Sequence, residues 1–207
     1  MPTTKSRIKR HMDKLVQVDP DIAQWRKRVG DPTPRIRPKG YSSMFRTLVA
    51  QQISIAASRS IYARLEAILA DMDDPQHILD ASDDLLRQGG LSRQKIGYAK
   101  SLAEHIVSGK LNFNHLAKLC DEDAIAMITS VRGFGRWSAE IYLMFAEGRP
   151  DIWPAADLGL QEGMKKIKML KLRPGEKQSR SIAERWAPWR TTAALFAWHV
   201  YADKAPV

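Results

Sequence analysis

Apolar residues along this 207-residue chain recur every three or four positions, and no clear run of strict alternation breaks that pattern. Such spacing puts apolar side chains on one face of a helix, whereas alternation would mark a strand. From about His11 to Val29 it predicts a first helix, ended by Gly30, while polar, basic residues 1–9 are expected to fray. Asp31-Pro32-Thr33-Pro34 and Pro38-Lys39-Gly40 then hold the chain extended, because a residue before proline is pushed out of helical angles. Between Ser43 and Leu69 the residues Phe45, Leu48, Val49, Ile53, Ala56 and Ala57 return at helical spacing. Further helices are predicted near 75–80, 83–88, 92–108, 114–119, 122–130, 136–147, 157–170, 178–186 and 190–202, with a turn at Arg173-Pro174-Gly175. The fold class is all-α, without a long internal repeat.

Composition narrows the partners. The formal charge is +10 and the sequence pI about 9.8, which favours a polyanion. The excess is uneven: residues 1–40 hold eleven Lys or Arg against four Asp, and Lys165, Lys166, Lys168, Lys171 and Arg173 form a second cluster. Taken alone, each cluster also reads as a solvated basic face. Cys120 is the single cysteine, so an internal disulfide and a four-cysteine iron–sulfur cluster are excluded. Its simplest reading is a buried small apolar residue. No stretch is apolar for long enough to span a bilayer, and no apolar region follows the basic N-terminus as in a secretory signal. A reducing compartment is expected, either bacterial cytoplasm or a nucleus. The five histidines (His11, His77, His105, His115, His199) show no metal-ligand spacing. Neither a G-x-G-x-x-G after a strand nor a phosphate loop ending in Gly-Lys-Ser/Thr is present.

The candidate chemistry sits in two stretches. Val131-Arg132-Gly133-Phe134-Gly135-Arg136-Trp137-Ser138-Ala139 reads as a tight glycine hairpin opening into a helix. Glycines let the main chain come close to a ligand, and the N–H groups of a helix's first turn lack internal partners. Together they make a site for a phosphate oxygen. Downstream, Asp157 stands alone among apolar neighbours in Trp153-Pro154-Ala155-Ala156-Asp157-Leu158-Gly159. It reads either as the N-cap of a helix or as a catalytic carboxylate, and the two roles are compatible.

These residues resemble the helix-hairpin-helix DNA glycosylase superfamily, which carries a hairpin of L-P-G-(I/V)-G-x-x-(T/S)-A type followed by a catalytic aspartate. Within it, the resemblance is to the alkylated-base branch, 3-methyladenine DNA glycosylase II. Leu48-Val49-Ala50-Gln51-Gln52-Ile53-Ser54 is similar to the family's I-x-x-Q-Q-x-S segment, and Leu91-Ser92-Arg93-Gln94-Lys95-Ile96-Gly97-Tyr98-Ala99 to its G-L-S-x-x-K-A-x-Y segment. Arg185-Trp186-Ala187-Pro188-Trp189-Arg190 and Trp198 match its W-x-P-W-R…W pattern. The hairpin alone would be weak evidence; five blocks in order are strong. The resemblance implies two helical lobes flanking a DNA-binding cleft, residues 1–40 with 160–207 in one and 41–159 in the other. Larger bacterial relatives add an N-terminal β-rich domain, and this chain is expected to be the compact form.

The resemblance also implies roles. Asp157 would stabilise positive charge on the deoxyribose as the base leaves and help place the attacking water; aspartate is anionic at neutral pH. Trp137 and Trp198 match aromatic positions that line the base pocket, where stacking and cation–π attraction hold an alkylated purine. Each also reads as a core tryptophan. Trp153, Trp186, Trp189 and Phe45 are expected to pack. Ile141 and Tyr142 fall where some relatives place a pocket tyrosine. Gly133, Gly135, Arg136 and Ser138 would hold the DNA backbone. Either Gln51 or Gln52 would be the wedge that fills the gap left by a flipped base, with helix capping or hydrogen bonding as the plainer reading. Relatives that also cut the backbone use a lysine where Trp137 stands, so this chain is expected to be monofunctional. A monovalent cation at the hairpin carbonyls is the one ion implied. The resemblance implies a role in base excision repair, and the expected partner is double-stranded DNA with damaged bases, bound by a monomer away from membranes. Two alternatives stay open: a non-catalytic hairpin protein that only binds DNA, and a glycosylase for uracil, hypoxanthine or an oxidised purine.

Overall fold

The computed structural model describes residues 4–69 and 71–203, and of Ile55 the backbone. Every regular element among the described residues is helical. In order these are α1 (Lys5–Val18), α2 (Pro20–Val29), α3 (Tyr41–Ala50), α4 (Ile55–Ile68), α5 (Gln76–Asp80), α6 (Asp83–Gln88), α7 (Arg93–Val107), α8 (Phe113–Leu116), α9 (Asp121–Thr129), α10 (Arg136–Phe145), α11 (Leu158–Ile167), α12 (Glu176–Ala183) with a 3₁₀ turn at Glu184–Trp186, and α13 (Arg190–Ala202).

The chain forms two compact units. One holds the described residues up to Ile36 together with those from Leu143 onward; the other runs from Arg37 to Tyr142. The boundary therefore falls inside α10. Residues 143–159, grouped by motif order with the central lobe, lie in the unit of the chain ends. Their bonds explain it. The Ile152 N–H donates to Thr191 Oγ1 (3.1 Å), and the Trp153 indole donates to Ser179 Oγ (2.9 Å).

In the unit of the chain ends, the expected helix from His11 to Val29 is two. Pro20 lacks an N–H and forces Asp19 out of helical angles, so α1 stops and Pro20 takes the first position of α2. Helix α1 also begins earlier than the composition of residues 1–9 suggests. Thr4 caps it by accepting from Arg7 N, and Ile8, Met12 and Leu15 bury one face. Asp19 is fully buried; its carboxylate accepts from Lys168 Nζ at 3.0 Å and from the Trp186 indole at 2.8 Å. This pairs the charge and meets its hydrogen-bonding needs, as a buried carboxylate requires. Trp153 packs edge-on against Trp186, with centroids 5.2 Å apart, so both tryptophans are core residues. Helices α11 and α13 lie so close that a Cβ at Gly163 would overlap the Ala197 carbonyl.

In the other unit, Met44, Phe45, Leu48, Leu65, Leu86 and Leu102 are fully buried and form the core. The apolar pattern between Ser43 and Leu69 is carried by two helices, with residues 51–54 between them. Ser54 starts the second by accepting from Ala57 N (3.1 Å). Cys120 is a correction to the sequence reading: it is exposed. Its sulfur caps α9, accepting from Asp123 N at 3.4 Å, which a buried apolar cysteine would not do.

Candidate functional site

Helix α9 ends at Thr129, and Val131 and Phe134 bury themselves while the chain turns between them. The Phe134 N–H donates to Val131 O (3.0 Å), closing the turn. Gly133 sits at φ +92° with its α-carbon pressed on the Tyr98 ring, so both its angle and its surroundings exclude a side chain. Gly135 has open space around it and no such constraint. Helix α10 starts at Arg136, one residue later, so the N–H groups of its first turn, which lack helical partners, follow directly on the hairpin.

A hollow of about 560 Å³ opens beside the hairpin. Gln51, Gln52, Gly133, Gly135, Trp137 and Ser138 line it, together with Lys95 and Tyr98 from the α7 side. Six of the sequence-nominated residues thus meet in one place. Gln51 donates its amide to Gly133 O (2.9 Å) and to Ser138 Oγ (3.2 Å), so the 51–54 loop is tied to the hairpin. Gln52 is exposed and adopts φ +57°, in the left-handed region that glycine favours. Trp137 is half-buried.

Arg136 is exposed and forked onto Glu122, with Nη1 2.9 Å from a carboxylate oxygen, and its Nε donates to Glu140 (3.0 Å). Those hydrogen bonds hold its pKa above the ordinary arginine value. Its charge is thus shared with two carboxylates of the same unit. Arg132, by contrast, lies exposed over the Tyr98 ring at 5.9 Å.

Lys95, within the segment 91–99, ties two elements of this unit together. Its ammonium donates to Val49 O (2.7 Å) and Gln51 O (2.9 Å), two carbonyls at the C-terminal end of α3. A cation there satisfies carbonyls that have no helical partner and complements the helix dipole. Burial pushes the amine's pKa down. The motif spacing carried no hint of this, because the bond joins positions 44 and 46 residues apart. Tyr142 is buried, and its hydroxyl accepts from Gly40 N (3.1 Å).

The carboxylate lies in the unit of the chain ends. The Asp157 N–H donates to Pro154 O, and Gln161 donates to Ala155 O (2.7 Å), which fixes the turn leading into α11. Asp157 is the N-cap of that helix: Oδ1 accepts from Leu160 N (2.8 Å). The same oxygen accepts from the Trp198 indole at 2.9 Å. The plain reading of Asp157 is therefore present, and the half-buried residue also meets the aromatic side chain nominated with it. Trp198 is 9 % exposed and packs against Phe145 at 5.8 Å. Among the described residues no group of three or more His, Cys, Asp or Glu is set to hold a metal ion.

Residues 45–188 match the HhH-GPD superfamily of base excision DNA repair proteins. The chain belongs to that superfamily. Among the relatives of this HhH-GPD chain is DNA-3-methyladenine glycosylase 1 of Schizosaccharomyces pombe, 32 % identical over 161 residues, which cover 76 % of this chain and 71 % of the relative. The solved structure of the S. pombe 3-methyladenine DNA glycosylase in complex with abasic DNA superimposes with a TM-score of 0.84 at 29 % identity, covering 91 % of this chain and 95 % of that one. A DNA-3-methyladenine glycosidase from Bacillus halodurans gives the same TM-score at 31 % identity, over 97 % and 91 % of the two chains.

Proposed function

We propose that this protein is a DNA glycosylase of base excision repair that flips alkylated purines such as 3-methyladenine out of duplex DNA and hydrolyses their N-glycosidic bond. The observation that carries the reading is the placement of Asp157. Its carboxylate is held by a backbone N–H and an indole N–H at the positive end of α11. Negative charge fixed in this way, needing no rearrangement, lowers the barrier to forming an oxocarbenium-like sugar. An alkylated purine is already cationic and departs without a dedicated general acid, so Asp157 has only to stabilise the sugar and orient water.

The hairpin supplies the grip on DNA. Its backbone N–H groups at Gly133 and Gly135 and at the start of α10 are suited to a phosphate, and Arg132 adds an exposed cation beside them. The main-chain carbonyls of the hairpin are the donor class a monovalent cation takes, and no step of the reaction runs through such an ion. Of the two glutamines, Gln52 is the better wedge, because the Gln51 amide is already committed to Gly133 and Ser138. Trp137 has no amine to attack the sugar, which supports a monofunctional enzyme that leaves the abasic site uncut. No described helix is long and apolar enough to cross a membrane, and the expected site of action is wherever the cell keeps its DNA.

The test is base release from methylated duplex DNA, with liberated bases identified by mass. Wild type should release 3-methyladenine or 7-methylguanine, and Asp157→Asn should reduce release by at least about 10²-fold while still binding abasic-site DNA. Turnover that survives the substitution would remove Asp157 from the mechanism. Tight DNA binding with no release of any base would make this a binding protein.

A further inference from the structure

A second hollow, of about 520 Å³, opens in the unit that runs from Arg37 to Tyr142. Arg37, Arg46 and Arg59 line it, together with Ser43, Ser58 and Tyr62. The three arginines come from the segment before α3, from α3 and from α4, so the fold gathers charges that lie apart in sequence. Arg46 is laid on the Tyr62 ring, its guanidinium carbon 3.6 Å from the centroid, and its Nη2 donates to Glu66 Oε1 (3.3 Å). Arg37 donates through Nη1 to Thr47 Oγ1 (3.2 Å). Arg59 is exposed. No carboxylate is among the described residues that line the hollow. Guanidinium groups gathered around one space repel one another, and an anion between them relieves that repulsion.

We propose that this hollow is a second phosphate site, which takes a backbone phosphodiester of duplex DNA. The inference rests on the reading that the chain acts on duplex DNA. A guanidinium presents paired N–H donors that match phosphate oxygens, and arginines already held by a ring and a hydroxyl are preset for the task. The place of the hollow identifies the source of the phosphate. Ala50 and Ser58, which line it, bracket the 51–54 loop, while Gln51, Gln52 and Ile53 of that loop line the hollow beside the hairpin. Helix α4 likewise gives Ile61 to the hairpin hollow and Arg59 and Tyr62 to this one. The loop proposed to enter the duplex is thus bordered by two anion sites. A probe inserted between two strands needs both, because a phosphate backbone passes it on either side. The hairpin grips through neutral N–H groups and this hollow through side-chain charge, so the hollow is the grip that salt weakens.

Dissociation constants for a duplex carrying one abasic-site analogue, measured between about 50 and 200 mM salt, test this with wild type, Arg46→Gln, Arg59→Gln and Lys110→Gln. Lys110 is exposed in the same unit and lies outside the lining, so its variant removes an equal charge elsewhere. Each arginine variant should weaken binding at least about threefold and reduce the slope of log Kd against log salt by up to about 0.9, the value of one phosphate contact. Lys110→Gln should keep the wild-type slope. Replacing successive phosphates of the duplex by neutral methylphosphonates should uncover one position whose loss weakens wild type but costs Arg59→Gln nothing further. Arg59→Gln, at an exposed position, should melt within about 2 °C of wild type. It decides the matter if Arg46→Gln, which also loses the Tyr62 contact, melts lower. Arginine variants that match Lys110→Gln in slope, or methylphosphonate losses that add to Arg59→Gln at every position, overturn the inference. So does inorganic phosphate that raises the melting temperature of wild type and not of Arg59→Gln while the methylphosphonate losses still add: the hollow then takes a free anion. If wild type binds the duplex with no dependence on salt, the DNA reading itself fails. If wild type releases bases and responds to salt but the arginine variants behave as Lys110→Gln, only this inference falls.

Discussion

Gln52 holds a backbone angle, φ +57°, that costs a residue with a side chain about 1–2 kcal/mol. A glycine would sit there without that cost, so the strain is retained for the side chain that comes with it. Gln52→Gly separates the two effects. Its melting temperature should stay level or rise by up to about 3 °C, since the relief of strain is offset in part by glycine's larger entropy in the unfolded chain. Excision from duplex DNA should nevertheless fall by at least about tenfold, because unpairing the target base is left unsupported. Excision of the same lesion from a single strand, which has no stack to open, should change much less. Equal loss on both substrates would rule out Gln52 as the wedge. Of the two adjacent glutamines, identical in type, only the structure shows that Gln51 is the one tied to the hairpin. The distinction lies in Gly133 and Ser138, more than 80 residues away along the chain.

Helices α11 and α13 approach each other closely at Gly163 and Ala197. Asp157 caps the first of these helices and Trp198 lies on the second, so the spacing between the two axes sets the 2.9 Å bond from indole to carboxylate. Gly163→Ala should push the helices apart, destabilising the protein by about 1–3 kcal/mol, and should lower base release beyond the loss of folded protein. Thermal melts and kcat measured well below the melting temperature check this; a stable variant with normal kcat would show that the pair tolerates displacement. The helices themselves were legible because most carry their own start signals, such as Ser82, Ser92, Asn112 and Asp157, each accepting from a backbone N–H two or three residues into its helix. The break at Asp19-Pro20 was legible in principle but masked by apolar spacing that continues across it. The bonds of Lys95 were not legible at all, because they fall on main-chain carbonyls that any residue would supply.

For the molecule as a whole, the +10 charge is not where the hairpin is. Arg136 is matched by Glu122 and Glu140, and Asp121, Glu122 and Asp123 crowd the first turn of α9. On the proposed reading, the backbone N–H groups and Arg132 would carry the phosphate contact there, and the basic excess of residues 5–39 and 165–173 would supply sequence-blind attraction. One titration is shared by the whole fold. His11, hydrogen-bonded to Thr192 at 2.9 Å, has its pKa lowered by burial first and then by Arg7 and Arg10. The folded state thus favours the neutral ring. Its contribution is fully present above the unfolded value of about 6.5 and is lost as pH falls through the lowered folded value. Denaturant midpoints should accordingly decline from pH 7 toward pH 5, and His11→Gln should flatten that slope; an unaltered slope would place the effect elsewhere. The bonds from Lys95 and Gln51 have a last consequence, for the time spent at each base pair. If Gln52 is the wedge, as proposed, a loop already bound to the hairpin brings it to the duplex without first having to become ordered. The dwell at each position is then governed by how readily that pair opens, so a weakened pair halts the protein and a sound one lets it move on.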